Sequence, residues 1–410
     1  MDTDSEKRFA KSVALGVTGS IAAYKAADLT SRLVKAGLDT HVIMTESATR
    51  LVCPQTFLTL SRNRVTTSLW DVPDWRPEHI ALADQADVLL IAPATANIIA
   101  KLAYGVADDA LSTFALSFAG TVMIAPAMNP RMWRHPAVQR NCDVLRDRGA
   151  RILTPSPGRV ACGDETGPGR LAPVEAVFNA VQARLAVEAA GAVADSPKRV
   201  LVTAGPTREF LDPARYLTNR SSGKMGYALA EAAVAAGHDV ILVSGPVDLE
   251  PPIGARVIHV TTAAEMTAAV RAEFAAADTL FMSGAVADYR PAAVATEKLK
   301  KRPGPLRLDM ERTVDILISL EDQTREHTVV GFAAETDHVE EYAKEKLTRK
   351  HLDWIVANDI SRSDIGFGTD ENEVTLHGRN GQTVELPRAP KIEIAAQLLA
   401  ATLDPGLSQK

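Results

Sequence analysis

The chain has 410 residues, 46% hydrophobic and 23% charged, and its 45 lysines and arginines against 51 acidic residues leave a formal charge of -6. That length exceeds one ordinary core and predicts two or three soluble domains, while the mild acidity excludes any global electrostatic case for nucleic acid or a membrane surface. Three cysteines without a CxxC or a Cys/His cluster at zinc spacing exclude a disulfide framework and a structural metal.

The polar start "MDTDSEKRFAK" has no apolar core of signal-peptide length, and no apolar run is long enough to span a bilayer, so a reducing cytoplasm is the expected compartment. From Ser12, "SVALGVTGSIAAYKAADLTSRLVKAG" reads as a β-branched strand, a Gly-Ser turn and a helix closing on Gly37. The unit recurs through "THVIMTESA", "ADVLLIAPATANIIAKLAYG", "DDALSTFALSFAG", "TVMIAPAMN", a helix from about Met132 to Arg148, and "ARILTP". Strands that are apolar throughout, alternating with helices, predict an α/β fold with a parallel sheet covered on both faces.

A helix after Pro173 runs into "LAVEAAGAVADSPK", where periodicity lapses; residues 191–197 read as a linker, with the boundary near Asp195. The pattern then restarts with "KRVLVTAGPT", a helix from Gly223 to Ala236, "HDVILVSGP", "ARVIHVTT", a helix from Ala263, "TLFMSGAVAD", "TVVGFAAET", a helix from Val339 and "LDWIVAND". Its tail "NEVTLHGRNGQTVELP" predicts a hairpin with a two-residue turn at Asn380-Gly381, and a helix from Lys391 to Thr402 closes the chain. Two Rossmann-like α/β domains, 1–190 and 198–410, follow.

Strand-to-helix turns collect backbone N–H groups and favour phosphate. Three turns of the first half, "GVTGS", "PATAN" and "PAMNPRMW", converge on one crevice if they belong to one sheet. "PATAN" and "PAMNPRMW", with His79 upstream in "PEHIALAD", resemble the signatures of the homo-oligomeric flavin-containing cysteine decarboxylases over roughly Lys11 to Val177. That resemblance implies a flavodoxin-like domain binding FMN between subunits, in trimers or their multiples up to a dodecamer. It carries FMN contacts onto Gly19, Ser20, Ile21, Thr45, Ala94, Thr95, Ala96, Asn97 and Met128. It implies oxidation of the carbon next to the cysteine sulfur, loss of carbon dioxide β to the resulting C=S, and an enethiol that is then reduced.

Within that chemistry His79 is the candidate base, since imidazole titrates near neutrality, and the Asn129 amide is suited to a substrate carboxylate. Taken alone, His79 reads as a structural histidine and Asn129 as a turn former before proline. "RVACGDETGPGR" places Cys162 among glycines, proline and acids that neither helix nor strand favours. It resembles the ACGxxGxGR flap of the decarboxylases that reduce the enethiol, which implies that Cys162 is the acid. It has one more residue between Cys162-Gly163 and the Gly167 run than that pattern.

In the second half "VTAGPTREFLDPARYLTNRSSGKMG" joins a strand to a helix through hydroxyls, glycines, Arg220 and Lys224, a bare phosphate loop that is not GxxxxGK[ST]. "EKLKK" by itself reads as a solvated helix face. Together with "AVADYR" and "GFAAET…KEKLTRK", these segments resemble the phosphopantothenate–cysteine ligases from Lys198 to Thr402. The resemblance implies a dimeric ligase that activates phosphopantothenate with CTP and Mg²⁺ as an acyl-cytidylate, which cysteine then attacks. Asn219 would orient that acyl-cytidylate, and Lys298 would act in the second half-reaction and at the nucleotide. Ala285, Asp288, Lys298, Thr313, Val314, Asp315, Ile316, Phe332, Lys346 and Lys350 would contact CTP, "TVDI" standing where the family has "NPDI". No metal ligand is assigned. An NAD(P)-dependent reductase is the rival among enzymes, disfavoured by the missing GxGxxG; a flavodoxin-like regulatory protein is the non-catalytic rival.

Overall fold

The computed structural model describes residues 11–70, 78–159, 166–301, 303–320, 327–335, 337–359, 361 and 368–403. Contacts divide the chain into two compact units, Met1–Val181 and Gln182–Lys410.

In the first unit β1 (Ser12–Val17) leads into α1 (Tyr24–Lys35), whose Ala26, Leu29, Thr30 and Leu33 form the buried stripe that helical spacing demands. β2 (Asp39–Met44), α2 (Glu46–Thr49), α3 (Pro54–Ser61) and α4 (Glu78–Ala83) follow. β3 (Val88–Ala94) is buried at all seven positions and runs through α5 (Ala96–Tyr104) and α6 (Ala110–Ser117) to β4 (Thr121–Pro126). The helix expected from Met132 to Arg148 is two helices, α7 (Pro130–Arg134) and α8 (Pro136–Asp147). The cause is Pro136, which has no N–H to continue a helix and holds His135 extended at φ -64, ψ 131.

β5 (Arg151–Ile152) completes a sheet of order β2-β1-β3-β4-β5, with every pairing parallel. β6 (Ser156–Arg159) and β7 (Thr166–Arg170) then form an antiparallel ribbon. The glycine- and proline-rich residues 166–170, which composition disfavours as strand, are therefore strand; Cys162 lies outside the described residues. α9 (Val174–Ala189) spans the division between the units.

The second unit contains β8 (Arg199–Ala204), β9 (Arg208–Asp212), β10 (Arg215–Thr218), α10 (Lys224–Ala236), β11 (Asp239–Ser244), β12 (Arg256–His259) and α11 (Ala263–Phe274). It continues with β13 (Thr279–Met282), β14 (Tyr289–Pro291), β15 (Met310–Arg312), β16 (Thr328–Glu335), α12 (Val339–Arg349), β17 (Trp354–Asp359), β18 (Glu371–Gly378), β19 (Thr383–Pro390) and α13 (Lys391–Leu403).

Its large sheet has the order β12-β11-β8-β13-β16-β17-β18-β19; β12 through β17 pair parallel and the last two strands antiparallel. One face is covered by α10 and α13 through Leu229, Ala233, Ile394 and Leu398, the other by α11 and α12 through Val270, Phe274, Ala343 and Leu347. The hairpin joining β18 to β19 is longer than expected. Gly378 N–H reaches Gln382 O at 2.8 Å and Gly381 alone is left-handed, φ +84, so Asn380 occupies an ordinary conformation in a three-residue loop.

α10 carries Glu231 into the core at 7% exposure, and burial raises its carboxyl to about 8. A raised carboxyl favours the fold below the unfolded value near 4.5 and withdraws that support as pH climbs through about 8. Unfolding free energy should therefore fall across pH 4.5 to 8 by up to about 1.4 kcal/mol per unit from this group. Glu231→Gln should flatten that part of a chemical-denaturation pH series; an unchanged slope would show that Glu231 is ionised in the folded chain.

Candidate functional site

Connections leave β1 and β3 in opposite directions, so the carboxyl edge between them is the place where a parallel sheet opens a crevice. The turns there are tied to each other. Thr18, buried at 1% exposure, donates from Oγ1 to Pro93 O at 2.7 Å and accepts the Thr95 N–H at 3.0 Å. Ser20, Thr45 and Thr95 each begin a short helix, their hydroxyls accepting from Ala22, Ala48 and Ile98 N–H. Beyond those caps the first amides of each helix lie ahead of any intrahelical bond, as at Ala96 and Asn97. Gly19 allows the first turn to approach the start of α2: a Cβ there would stand 2.4 Å from Ser47 Cβ.

The third turn joins the same edge, since Ala127 N–H donates to Ala94 O at 3.0 Å. Asn129 caps α7, with Oδ1 accepting the Arg131 N–H at 2.8 Å. The ribbon docks on this turn through the Met128 N–H to Gly169 O bond of 2.9 Å. Gly19, Ser20, Ile21, Thr45, Ala94 to Asn97, Met128 and Asn129 thus stand on turns at the ends of β1 to β4. His79 lies on α4, and nothing is described of its side chain. Lys25 and Arg170, which the sequence did not single out, lie near each other; burial first and then the Arg170 cation lower the Lys25 ammonium. Two converging cations at this edge favour an anionic ligand group. Helix-start amides, capped turns, a glycine approach and local cations suit a flavin phosphate.

The second unit repeats the device between β8 and β13, where its strand order reverses. Ala285 N–H donates to Gly205 O at 2.9 Å, and Thr207 Oγ1 accepts the Ala287 N–H at 3.0 Å. Gly245 must be glycine because a Cβ would fall 1.9 Å from Pro206 O. Asn219 reaches across the crevice, its Nδ2 donating to Ala285 O at 3.1 Å and Val286 O at 3.3 Å. Thr313 donates its hydroxyl to Ala287 O at 2.6 Å and its N–H to Asp288 O at 2.9 Å, which ties the "TVDI" segment to the strand end. Val314 is exposed, whereas Ile316 packs in the core at 3% exposure and can meet a ligand only through its backbone.

Lys350 pairs with Asp315 at 2.9 Å and Lys346 donates to Phe332 O at 2.6 Å. Burial, then the neighbouring Lys350 cation, lower the Lys346 ammonium, while Glu335, Asp315 and Asp288 act in the opposite sense. Asp288, Asp315, Lys346 and Lys350 are therefore one electrostatic group. Asn358, which sequence reasoning missed, lies beside Ala334 on β17 with its Oδ1 buried and without a hydrogen-bond partner, an acceptor suited to a ligand donor.

Two residues depart from expectation. Lys224 is committed to Gly368 O at 2.8 Å and to Asp370 at 2.7 Å. Lys298 is exposed, and its "EKLKK" segment is an irregular strand-to-strand connection and not a helix. Among the described residues it makes no hydrogen bond with the Asp288–Lys350 group.

The first unit is a flavodoxin-like sheet and the second a Rossmann-like one, and each carries its crevice where the strand order turns. Residues 2–186 match the Flavoprotein family, and residues 196–404 match the DNA/pantothenate metabolism flavoprotein C-terminal domain. The chain is 48% identical to the coenzyme A biosynthesis bifunctional protein CoaBC of Bacillus subtilis over 95% of its own length and 96% of that protein. Against the same protein of Escherichia coli K12 it is 43% identical, over 95% of each. It belongs to this family of bifunctional coenzyme A biosynthesis proteins. Among solved structures it is similar to a C-terminal domain of CoaBC (42% identity, 53% of this chain, 99% of that one, TM-score 0.45). It is also similar to the FMN-dependent cysteine decarboxylase SpaF (36%, 39% and 90%, TM-score 0.36).

Gly19→Ala should separate the first turn from α2 and lower the flavin bound per chain at least about tenfold, the scale of one overpacked contact of about 1–3 kcal/mol. Absorbance of the purified protein near 450 nm reads this directly, and wild-type flavin content would show that the approach is not needed.

Proposed function

We propose that the first unit decarboxylates 4'-phosphopantothenoylcysteine to 4'-phosphopantetheine with FMN, and that the second makes its substrate from 4'-phosphopantothenate, cysteine and CTP. The observation that carries this reading is identity of 43–48% running through both units to proteins named as bifunctional in coenzyme A biosynthesis. It is supported by the two crevices, each lined by the turns that the sequence singles out.

FMN, when bound, supplies two-electron oxidation and later reduction at the carbon next to sulfur. In this reading Gly19, Ser20, Thr45 and Ala94 to Asn97 hold its phosphate and ring. Asn129, fixed as a cap, holds the substrate carboxylate, and His79 accepts a proton during oxidation. Cys162 returns a proton to the enethiol.

In the second unit Lys346 and Lys350 neutralise the triphosphate. Burial and the Lys350 cation, which lower Lys346 in the free protein, are offset once phosphate charge enters. Asn219 orients the acyl-cytidylate, Asp288, Thr313 and Asn358 meet the nucleotide, and Lys298 closes on the activated carboxyl while the cysteine amine displaces CMP. Mg²⁺ enters on the triphosphate, its usual mode of binding. A cytoplasmic, trimer-based oligomer with dimeric ligase units completes the reading; no helix among the described residues is long and apolar enough to cross a membrane.

Incubation with 4'-phosphopantothenate, cysteine, CTP and Mg²⁺ should yield CMP, carbon dioxide and 4'-phosphopantetheine. Without CMP the ligase reading fails. Cys162→Ser should still release carbon dioxide but stop at the enethiol; full turnover to the saturated thiol by that variant would remove Cys162 from its role.

A further inference from the structure

Lys298 sits on residues 292–301, which follow β14 with neither helix nor strand. An exposed lysine on such a connection samples many positions, and ordering it during a reaction costs conformational entropy. Two contacts fix the start of the segment: Ala292 N–H to Asp309 O at 2.9 Å and Ala295 N–H to Leu211 O at 3.0 Å. The next grip comes immediately after Lys298. Asp212 Oδ2 accepts the Leu299 N–H at 3.1 Å, and Arg215 donates from its guanidinium to Leu299 O at 2.9 Å. The first bond holds the peptide that joins Lys298 to Leu299; the second holds the peptide after it.

The Asp212 side chain is 0% exposed, and its carboxylate is filled on both oxygens. Oδ1 accepts from Ala214 and Arg215 N–H at 2.8 and 2.9 Å, while Oδ2 accepts from the Arg215 guanidinium at 2.5 and 3.0 Å and from Leu299. The Oδ1 bonds belong to the tight β9–β10 turn, and an aspartate at a turn needs no more explanation than that. The Oδ2 bond to Leu299 spans 87 positions in sequence and contributes nothing to the turn. A charged acceptor inside the protein makes a stronger, more directional grip on an amide than a carbonyl would. The Arg215 hydrogen bonds also hold Asp212 well below the usual carboxylate range, so the grip persists as pH falls through that range.

We propose that Asp212, with Arg215, is a positioning residue for the ligase: it clamps the Leu299 backbone and thereby holds Lys298 where the cysteine-coupling step needs it. This rests on the reading that Lys298 acts in that step. With its side chain 0% exposed and both oxygens filled, Asp212 acts through the Leu299 backbone. Loss of the clamp leaves Asp288, Asp315, Lys346 and Lys350 in place, so it lowers kcat and raises KM for CTP no further than loss of Lys298 itself does.

The test compares Asp212→Asn, Lys298→Gln and the double variant in the full-length protein, measuring CMP release and timed tryptic cleavage after Lys298, Lys300 and Lys301. Asn keeps the shape but supplies a neutral acceptor. Asp212→Asn should lose about 10- to 100-fold in kcat, the range expected for a charged hydrogen bond, with KM for CTP raised no further than in Lys298→Gln and faster cleavage confined to 298–301. The double variant should be no slower than Lys298→Gln alone, because residues acting through one another are not additive. Multiplying losses, or cleavage accelerated throughout the unit, would show Asp212 to be merely structural and overturn the clamp. Wild-type kcat in Asp212→Asn beside a dead Lys298→Gln would overturn it while leaving the role of Lys298 standing. Wild-type ligation by Lys298→Gln would instead remove the reading on which it rests.

Discussion

Backbone groups at the carboxyl edge of a parallel sheet have no further strand to pair with, and both units are organised around satisfying them. In the first, one buried hydroxyl, that of Thr18 on the turn after β1, joins it to the turn after β3 by donating to Pro93 O and accepting the Thr95 N–H. In the second, backbone does the same work directly, Ala285 N–H to Gly205 O, with Asn219 bridging from the side. These bonds hold the two lips of each crevice at a set separation while leaving the helix-start amides beyond them facing outward. The pairing that the sheet leaves open suits an anionic ligand.

Much of this was legible in the sequence because the signals are local. The apolar runs of β3 and β8, the alternation of strand and helix, and the hydroxyl or asparagine at each turn all report on neighbours within a few positions. The three turns of the first half do meet at one edge, and Asp288, Asp315, Lys346 and Lys350 of the second unit lie within electrostatic reach of one another. What local signals missed depends on distant partners. Residues 166–170 are a strand because Ser156–Arg159 lies opposite, against the preference of Gly167, Pro168 and Gly169. Lys224 reads as a phosphate ligand until Asp370, 146 positions away, takes its ammonium. Ile316 reads as a contact residue until packing turns its side chain inward. Asn358 gave no signal at all, being one polar residue at the end of an apolar strand.

The small ribbons share a logic. β6–β7, β9–β10 and β14–β15 lie outside the main sheets, each closing at or beside a crevice-lining segment. An interior strand of a main sheet is held on both flanks and cannot shift without breaking two ladders, whereas each strand of a two-stranded ribbon is held by one.

The division between the units has a consequence for taking the protein apart. It falls within α9, not in the loose alanine- and glycine-rich stretch that follows. The final turns of that helix belong to the second unit: Ala186 and Val187 are part of its core, and Arg184 donates to Ala235 O at 3.1 Å. A gene split in the loose stretch would leave these residues on the wrong fragment, uncovering apolar surface over α10. A cut between Val181 and Gln182 would instead keep those residues with the core they complete.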